Sequence, residues 1–342
     1  MPTVSPFRAL RYDPDVAGPL ETLVAPPYDV ISPEARLHYL ARSPHNVVHL
    51  TLPDDPEEAA HELSAWRAQG VLVDEEPALR WVAQDYVGPD GVARTREGIA
   101  ASVEVTPYSA GEVLPHERTH AGPKEGRLRL LRATRTQLEP IFLLYDAEPP
   151  VARPQGAPEM DVDEGGVRTR IWRLPADTAL TIDTPFLIAD GHHRYETAVA
   201  FRDEEPSATH TFAILVSSRA PGLEIFPTHR LVRHVGDVPG TEVDAPDGGV
   251  TLYRGGKFLR VDTDDDFGPR VVESFAPEGV SYTAYADEAV ATVDRGEAEA
   301  AFLLQPVTVE QVARFARAGE TMPQKSTFFY PKLTSGLLFH PV

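Results

Sequence analysis

Cysteine is absent from this chain of 342 residues. Without a thiol, the protein cannot form disulfides, zinc–thiolate sites, iron–sulfur clusters or a cysteine nucleophile. Long apolar runs are absent too, and none reaches about eighteen residues, so we expect no membrane-spanning helix and no membrane partner. The first ten residues, MPTVSPFRAL, lack the apolar core of a signal peptide. These absences together favour a cytoplasmic location.

Positive charge is scarce, because lysine and arginine total 32 against 52 aspartates and glutamates, a net charge of −20. Such an acidic surface repels a phosphate backbone, so we expect no general nucleic-acid binding. Residues 116–135 are an exception, with six basic residues and only two acidic ones. This positive island can concentrate a small anion, although a solvated helix face explains the same pattern. Its basic residues are Arg118, Lys124, Arg127, Arg129, Arg132 and Arg135.

The pattern of apolar residues predicts a mixed α+β fold, with strands and helices alternating in the second half. Residues 78–86 and 98–105 flank a Gly-Pro-Asp-Gly turn and predict a hairpin. Residues 124–136 predict a basic amphipathic helix, and 140–145 a buried strand. Further along, residues 186–189 predict a short apolar strand, and a helix is predicted over 195–202.

The organisation along the chain predicts two parts. After Pro239 the sequence becomes rich in turn-forming residues, which places a domain boundary near residue 240. We expect residues 1–240 to form a phosphate-binding core with insertions, and residues 241–342 to form a C-terminal α+β portion. The last segment, residues 322–339, is aromatic and polar, and we expect it to pack back on the site.

The strongest local signal lies between the predicted strand and helix of the second half, where a glycine permits a tight turn. Backbone N–H groups and the dipole at a helix start bind anions. Arginine adds a bidentate fork for phosphate, histidines can donate hydrogen bonds, and the aspartate suits Mg²⁺ or a proton. The alternative is a capped helix whose histidines only satisfy local hydrogen bonds. The segment reads Asp190-Gly191-His192-His193-Arg194.

A second signal, His116-Glu117-Arg118-Thr119-His120, matches the zinc-protease pattern His-Glu-x-x-His. That chemistry needs both histidines on one helical face. Because Pro115 precedes the segment and Gly122-Pro123 follow it, a helix has little room. A loop that carries Glu117 as a base or metal ligand, with Lys124 and Arg127 on phosphates, explains more residues.

Weaker signals are spread along the chain. The rigid turn at residues 26–29 carries Tyr28 and Asp29, which can position a substrate or simply lead into the next helix. His229 with Arg230, and Lys325, have a phosphate-friendly composition without diagnostic spacing. The chain contains no Walker loop and no Gly-x-Gly-x-x-Gly, so the common nucleotide folds are disfavoured.

Taken together, these segments resemble one family, long catalogued as the domain of unknown function number ten-fifteen, and they follow its order along nearly the whole chain. They are APPYDVI (25–31), HERT (116–119) with Lys124 and Arg127, ADGHHRYETA (189–198), PTHR (227–230) and MPQKSTFFYPKL (322–333).

The resemblance implies a ParB/sulfiredoxin-like core, because residues 191–198 are similar to the phosphate box of those proteins. An archaeal relative is a free-serine kinase that uses ADP. Phosphate binding by residues 191–194, with a nearby acid as base, is therefore implied. This chain lacks the catalytic cysteine of sulfiredoxin, which excludes sulfinic acid repair. It also lacks an evident centromere-binding module like that of ParB, which disfavours a role in DNA segregation.

The leading hypothesis is a nucleotide-dependent small-molecule phosphotransferase, such as a kinase of free serine or a similar amino acid, with Mg²⁺ and with ADP or ATP as donor. The alternatives are a nucleotide-binding switch or slow nucleotide hydrolase, and a metal-dependent hydrolase built on residues 116–120. The predicted catalytic residues are Glu117, Asp29 and Asp190, the last also as metal ligand. The predicted phosphate- or nucleotide-binding residues are Gly191, His192, His193, Arg194, Lys124, Arg127, His116 and Thr119. The predicted substrate-binding residues are Tyr28, His229, Arg230 and Lys325.

Overall fold

The computed structural model describes residues 1–117, 121–276 and 278–342, with the side chains of 121–123 left out. Thr119, predicted to bind phosphate, lies outside these residues. The strands are β1 Val4–Ser5, β2 Leu10–Tyr12, β3 Leu72–Asp74, β4 Arg80–Val87, β5 Ala93–Glu104, β6 Val113–Leu114, β7 Thr136–Gln137, β8 Ile141–Tyr145, β9 Met160–Glu164, β10 Val167–Arg173, β11 Phe186–Asp190, β12 His210–Ser217, β13 Glu224–Phe226, β14 His229–Val232, β15 Gly240–Val243, β16 Thr251–Arg254, β17 Lys257–Val261, β18 Val280–Thr283, β19 Ala300–Leu303, β20 Phe328–Tyr330 and β21 His340–Pro341.

The helices confirm the mixed α+β class. None of those within the described residues is both long and apolar enough to cross a bilayer. The α-helices are α1 Pro14–Ala17, α2 Pro33–Arg42, α3 Val48–Thr51, α4 Pro56–Ala68, α5 Ala121–Thr134, α6 His192–Glu204, α7 Gly268–Phe275, α8 Ala286–Asp294 and α9 Val309–Arg317. Short 3₁₀ turns cover Leu20–Thr22, Tyr28–Val30 and Tyr108–Ala110.

The chain divides into two compact units. Among the described residues, unit 1 holds 1–115, 121–223 and 331–342, and unit 2 holds 116–117, 224–276 and 278–330. The division after Leu223 differs from the boundary expected near residue 240. The physical reason is pairing, because β14 forms ladders with β18 and β19 and so belongs with the later part of the chain.

Unit 1 is built on a mixed sheet with the strand order β6-β11-β8-β12-β5-β4-β10-β9, and β1 pairs with β5. The pairs β6–β11 and β8–β12 are parallel, whereas the neighbouring pairs are antiparallel. β-Branched and aromatic residues at alternate positions bury one face in a common core. A second core lies among α2, α3 and α4 and includes Trp66 and Phe339.

Most sequence predictions for unit 1 elements are confirmed. β4 and β5 form the expected hairpin around the turn after Val87, and β8 is fully buried. The basic helix is present as α5, which buries Leu128, Leu130 and Leu131. The helix expected from Tyr195 begins at His192 instead, because Gly191 adopts φ +94° and turns the chain immediately after β11.

Unit 2 has its own antiparallel sheet with the order β15-β17-β16-β19-β14-β18. Helices α7 and α8 contribute to separate apolar clusters that involve this sheet, one containing Val272 and Phe302 and the other Ala289 and Tyr253. A two-stranded ribbon of β13 and β20 stands at the beginning and end of its main segment. The unit therefore has a core of its own.

Candidate functional site

The candidate site lies in unit 1, at the turn from β11 into α6. Asp190 is the last residue of β11 and pairs with Phe142 of β8. Gly191 follows with a positive φ, and a Cβ built there would come 3.0 Å from Nε of Arg194. A side chain at this position would be strained and crowded, so the turn requires glycine. The start of α6 and its dipole are thereby held at the end of the strand.

Arg194 and Asp190 form a buried ion pair one helical turn apart. The guanidinium donates through Nη1 to the carbonyl oxygen of Pro140 and through Nη2 to Asp190 at 2.5 Å. The other oxygen of Asp190 accepts from Nζ of Lys332, which comes from the C-terminal segment of unit 1. Burial alone would raise the pKa of Asp190, but the charges of Lys332 and Arg194 hold it well below its usual value.

The contacts of Asp190 do not fit the roles of metal ligand and proton acceptor that the sequence predicted. Both of its carboxylate oxygens accept from cations, so the residue does not fit the predicted role of Mg²⁺ ligand. Its lowered pKa also makes it a poor proton acceptor at neutral pH. Asp190 orients Arg194 and Lys332 in this structure.

Glu139 is a buried carboxyl group that the sequence did not single out. One oxygen accepts from the backbone N–H of Tyr28 at 3.0 Å and from the hydroxyl of Ser335 at 2.8 Å. Burial raises the pKa of Glu139, and the charges of Arg194 and Arg127 only partly offset that rise. The carboxyl therefore sits between two arginines without a direct ion pair to either.

The structure brings together Arg127 and Tyr28, two of the predicted binding residues. The guanidinium of Arg127 stacks over the ring of Tyr28, 4.1 Å from its centroid, and donates to the carbonyl oxygen of Thr51 at 2.8 Å. Burial alone would lower the pKa of Arg194, but the charges of Asp190, Glu139 and Asp29 hold it above its usual value. Asp29 itself is exposed.

The positive island is partly neutralised by acidic residues of α6 and by Glu205, which follows the helix. Lys124, predicted to bind phosphate, lies 3.5 Å from the carboxylate of Glu196. Two arginines later in the chain also form ion pairs: Arg132 pairs with Glu204, and Arg135 pairs with Glu205. Of the basic side chains that the structure describes in α5, Arg127 is the one that lines the cavity next to Arg194.

A cavity opens beside these arginines, between α5, α6 and the starts of β8 and β12, and its space of about 450 Å³ includes solvent at the open mouth. Its walls are mainly aliphatic. The lining residues are Arg127, Leu130, Leu131, Thr136, Gln137, Leu138, Glu139, Ile141, Arg194, Thr197, Ala198 and Thr211.

Two buried polar residues, Arg96 and Gln84, contact the residues around the β11–α6 turn. Arg96 of β5 is fully enclosed, with its guanidinium 4.4 Å from the ring centroid of Phe142 and one amino group donating to the side chain of Gln84. Burial lowers the pKa of Arg96 to about 10, whereas the nearby charge of Asp190 acts in the opposite direction. Gln84 also donates to the backbone oxygen of Lys332 at 3.2 Å. Arg96 and Gln84 thus support the residues that orient the loop.

The predicted residues of the His-Glu-x-x-His segment lie in unit 2 as far as the structure describes them. His116 is buried, with Nε2 3.0 Å from the hydroxyl of Thr327 and its ring edge-on to Phe329. Glu117 forms an isolated bridge with Met322. Neither residue is helical, so His116 and Glu117 do not form the helical geometry of a zinc protease.

No group of three or more histidine, aspartate or glutamate side chains within 1–117, 121–276 and 278–342 is placed to hold a metal ion. His120 lies outside those ranges. The metal-dependent hydrolase therefore finds no support in the described part of the chain.

The other predicted substrate-binding residues also belong to unit 2. His229 is buried, its Nδ1 accepts from the backbone N–H of Leu304 at 3.1 Å, and burial lowers its pKa to about 4. Arg230 is buried as well and donates to the carbonyl oxygen of Thr228 at 3.0 Å. Lys325 is exposed and has a positive φ of 52°. Their contribution to substrate binding stays a prediction.

Sequence reasoning missed Glu139, Ser335, Lys332 and Arg96. Lys332 lies inside the family-like segment at residues 322–333, so its residue type and position were available as a signal. Glu139 and Ser335 act through partners distant in the sequence, since Tyr28 and Glu139 lie 111 positions apart and Glu139 and Ser335 lie 196 apart, and the burial of Arg96 depends on the whole sheet. Nothing local marks such residues.

Several solved structures are similar to this chain at low identity. SbnI with a C-terminal truncation, from Staphylococcus aureus, is 13% identical with a TM-score of 0.44, covering 68% of this chain and 84% of that one. A free serine kinase in complex with AMP is 13% identical with a TM-score of 0.42, covering 70% and 91%. A conserved hypothetical protein from Pyrococcus furiosus is 14% identical with a TM-score of 0.37, covering 69% and 93%.

The family comparison covers most of the chain. No curated protein matches at a significant level. A family model described as "Protein of unknown function (DUF1015)" matches residues 4–244, which is more than half of the sequence and includes the β11–α6 turn. The chain therefore belongs to the DUF1015 family of proteins of unknown function.

Proposed function

We propose that the protein binds the phosphate groups of a nucleotide at the β11–α6 turn and transfers a phosphoryl group to a small molecule such as a free amino acid. One observation carries the proposal: the Gly191 turn joins the positive end of α6 to the buried cations Arg194 and Lys332. A helix start next to fixed cations is a site for phosphate oxygens.

The residues of unit 1 supply most of what phosphoryl transfer requires, because that reaction depends mainly on positioning and charge neutralisation. Arg194 is held in place by Asp190, and Arg127 is held by Tyr28 and Thr51. These arginines can stabilise the negative charge that develops on the transferred group, because their guanidinium groups are already held in position. No step is assigned to Mg²⁺, because Asp190 does not fit the ion.

The acceptor hydroxyl needs a base. Asp29 is an exposed carboxylate directly after Tyr28, whose ring lies against Arg127, and it is the candidate base in unit 1. Glu117, the base that the sequence favours, belongs to unit 2. Conversion of Asp29 to Asn and of Glu117 to Gln separates the two assignments, since only loss of the true base lowers kcat while nucleotide binding persists.

Calorimetric titration of ADP and ATP tests the binding half of the proposal. We expect Arg127→Ala to weaken nucleotide binding by roughly 10- to 100-fold, because each lost charge-assisted hydrogen bond contributes about 1.5–3 kcal/mol. Arg129→Ala is the matched control, since Arg129 is an exposed arginine two residues further along α5. Equal binding by the two variants contradicts the proposal.

Incubation with ADP or ATP, Mg²⁺ and a panel of amino acids, followed by mass spectrometry, tests the transfer half. A phosphorylated amino acid is the expected product. If nucleotide binds but only free phosphate is released, the protein is a nucleotide switch or slow hydrolase instead. If no nucleotide binds, both hypotheses are wrong.

A further inference from the structure

We infer that the cavity between α5 and α6 receives the heterocyclic base of the nucleotide whose phosphates bind the β11–α6 turn. The inference rests on the proposed function, and it assigns a site for the part of the ligand that carries no phosphate. The cavity shares Arg194 and Arg127 with the phosphate-binding residues, so one molecule can reach both places.

The walls of the cavity suit a flat, weakly polar group. Leu130 and Leu131 come from α5, Leu138 and Ile141 from the entry to β8, and Ala198 from α6. Aliphatic side chains with a few convergent polar groups are typical of pockets for planar ligands. Among the described lining residues, none besides the two arginines is a cation, so a second phosphate group has no partner away from them.

Polar groups in the cavity lining can form hydrogen bonds with the edge of a heterocyclic base. The hydroxyl of Thr197 is buried and has no hydrogen-bond partner among the residues that the structure describes. A buried hydroxyl without a partner costs free energy, and a ring nitrogen or exocyclic amine would satisfy it. Glu139 also lines the cavity, and its hydrogen-bond donors in the described part of the chain are neutral, the Tyr28 N–H and the Ser335 hydroxyl.

The position along α6 favours the base over the phosphoryl acceptor. Thr197 lies five residues beyond His192, the first residue of the helix, which corresponds to about 7.5 Å along the axis. The acceptor hydroxyl must lie next to the terminal phosphate at the helix start. The nucleoside is the part of the ligand that extends away from that point.

The test compares inorganic pyrophosphate, which has no base, with ADP. Calorimetry on the full chain should show that Ala198→Leu, which fills the cavity, weakens ADP binding by at least about 10-fold. Thr197→Val, nearly the same size, should weaken it by about 3- to 10-fold. Pyrophosphate affinity should stay unchanged in both variants. Asp203→Leu, at an exposed position of the same helix outside the lining, is the control and should bind both ligands as the wild type does.

The outcomes separate the two proposals. If wild-type protein binds no pyrophosphate, the proposed function fails. If it binds pyrophosphate but both cavity variants keep full ADP affinity, the inference alone is overturned. Equal loss of both ligands in Thr197→Val and Ala198→Leu, with melting temperatures unchanged, also overturns it, because the cavity would then act on phosphate binding rather than on the base.

Discussion

At the scale of single residues, Glu139 is the most unusual group in the site. A carboxylate enclosed by protein is unfavourable unless it is paired, and its direct partners are a backbone N–H and a hydroxyl. Burial raises its pKa despite the two nearby arginines. The folded protein therefore holds a proton on Glu139 at pH values where the unfolded chain has already lost it.

The sign of the resulting pH dependence is fixed by that rise. A group with a raised pKa stabilises the fold fully below its unfolded pKa, near 4.5, and this contribution is lost as the pH rises through the folded pKa. Glu139→Gln keeps an acceptor for both donors but carries no charge. We expect the stability of the variant, measured by urea unfolding from about pH 4 to about pH 8, to rise relative to wild type as the pH increases above the unfolded pKa.

An exposed glutamate of α4 provides the control, because Glu62→Gln removes one carboxyl of the same type from solvent. Its stability difference from wild type should stay flat over the same pH range. If the difference for Glu139→Gln is equally flat, Glu139 has the same pKa in the folded and unfolded chains, and its burial does not disfavour the charged carboxylate.

At the scale of elements, the sequence predicts regular segments well and their junctions less well. The β4–β5 hairpin followed from alternation around a turn, and α5 followed from its leucine spacing. The start of α6 was placed three residues late, because a glycine with positive φ lets a helix begin without a polar cap. The sequence predicted that residues 322–339 pack back on the site, but not that Lys332 pairs with Asp190, because the two lie 142 positions apart.

The C-terminal segment, residues 331–342, is the element that completes the site. It brings Lys332 to Asp190, Thr334 to within 3.1 Å of the hydroxyl of Thr169, and Ser335 to Glu139. Its backbone also bridges to residue 25 and pairs through β21 with β7. The segment therefore links the loop to the rest of unit 1 at several points.

The link through Asp190 can be measured. Asp190→Asn leaves Lys332 and Arg194 as largely buried cations without their carboxylate, so we expect the free energy of unfolding to fall by about 3–5 kcal/mol in urea titrations. Lys332→Met should cost less once Asp190→Asn is present, with a coupling energy of roughly 1–3 kcal/mol. Additive effects in the double mutant would show that the two residues do not interact.

At the scale of the whole molecule, the chain order makes most of unit 2 an insertion. Unit 1 is interrupted after Leu223 and resumes at Pro331. The inserted segment begins with β13 and ends with β20, and these strands pair so that Glu224 lies opposite Tyr330. Paired residues in antiparallel strands are about 5 Å apart, so a very short linker can replace the insertion.

Removal of residues 224–330 tests whether the phosphate site belongs to unit 1. With Leu223 joined to Pro331 through a short Gly/Ser linker, the shortened chain retains Arg127, Arg194 and Lys332 and the cores of unit 1. We expect cooperative thermal unfolding by circular dichroism and pyrophosphate binding as tight as in the full chain. Binding without phosphoryl transfer would identify a requirement for unit 2 in the transfer step. A folded product that has lost pyrophosphate binding would instead contradict the assignment of the phosphate site to unit 1, since every cation invoked for it would still be present.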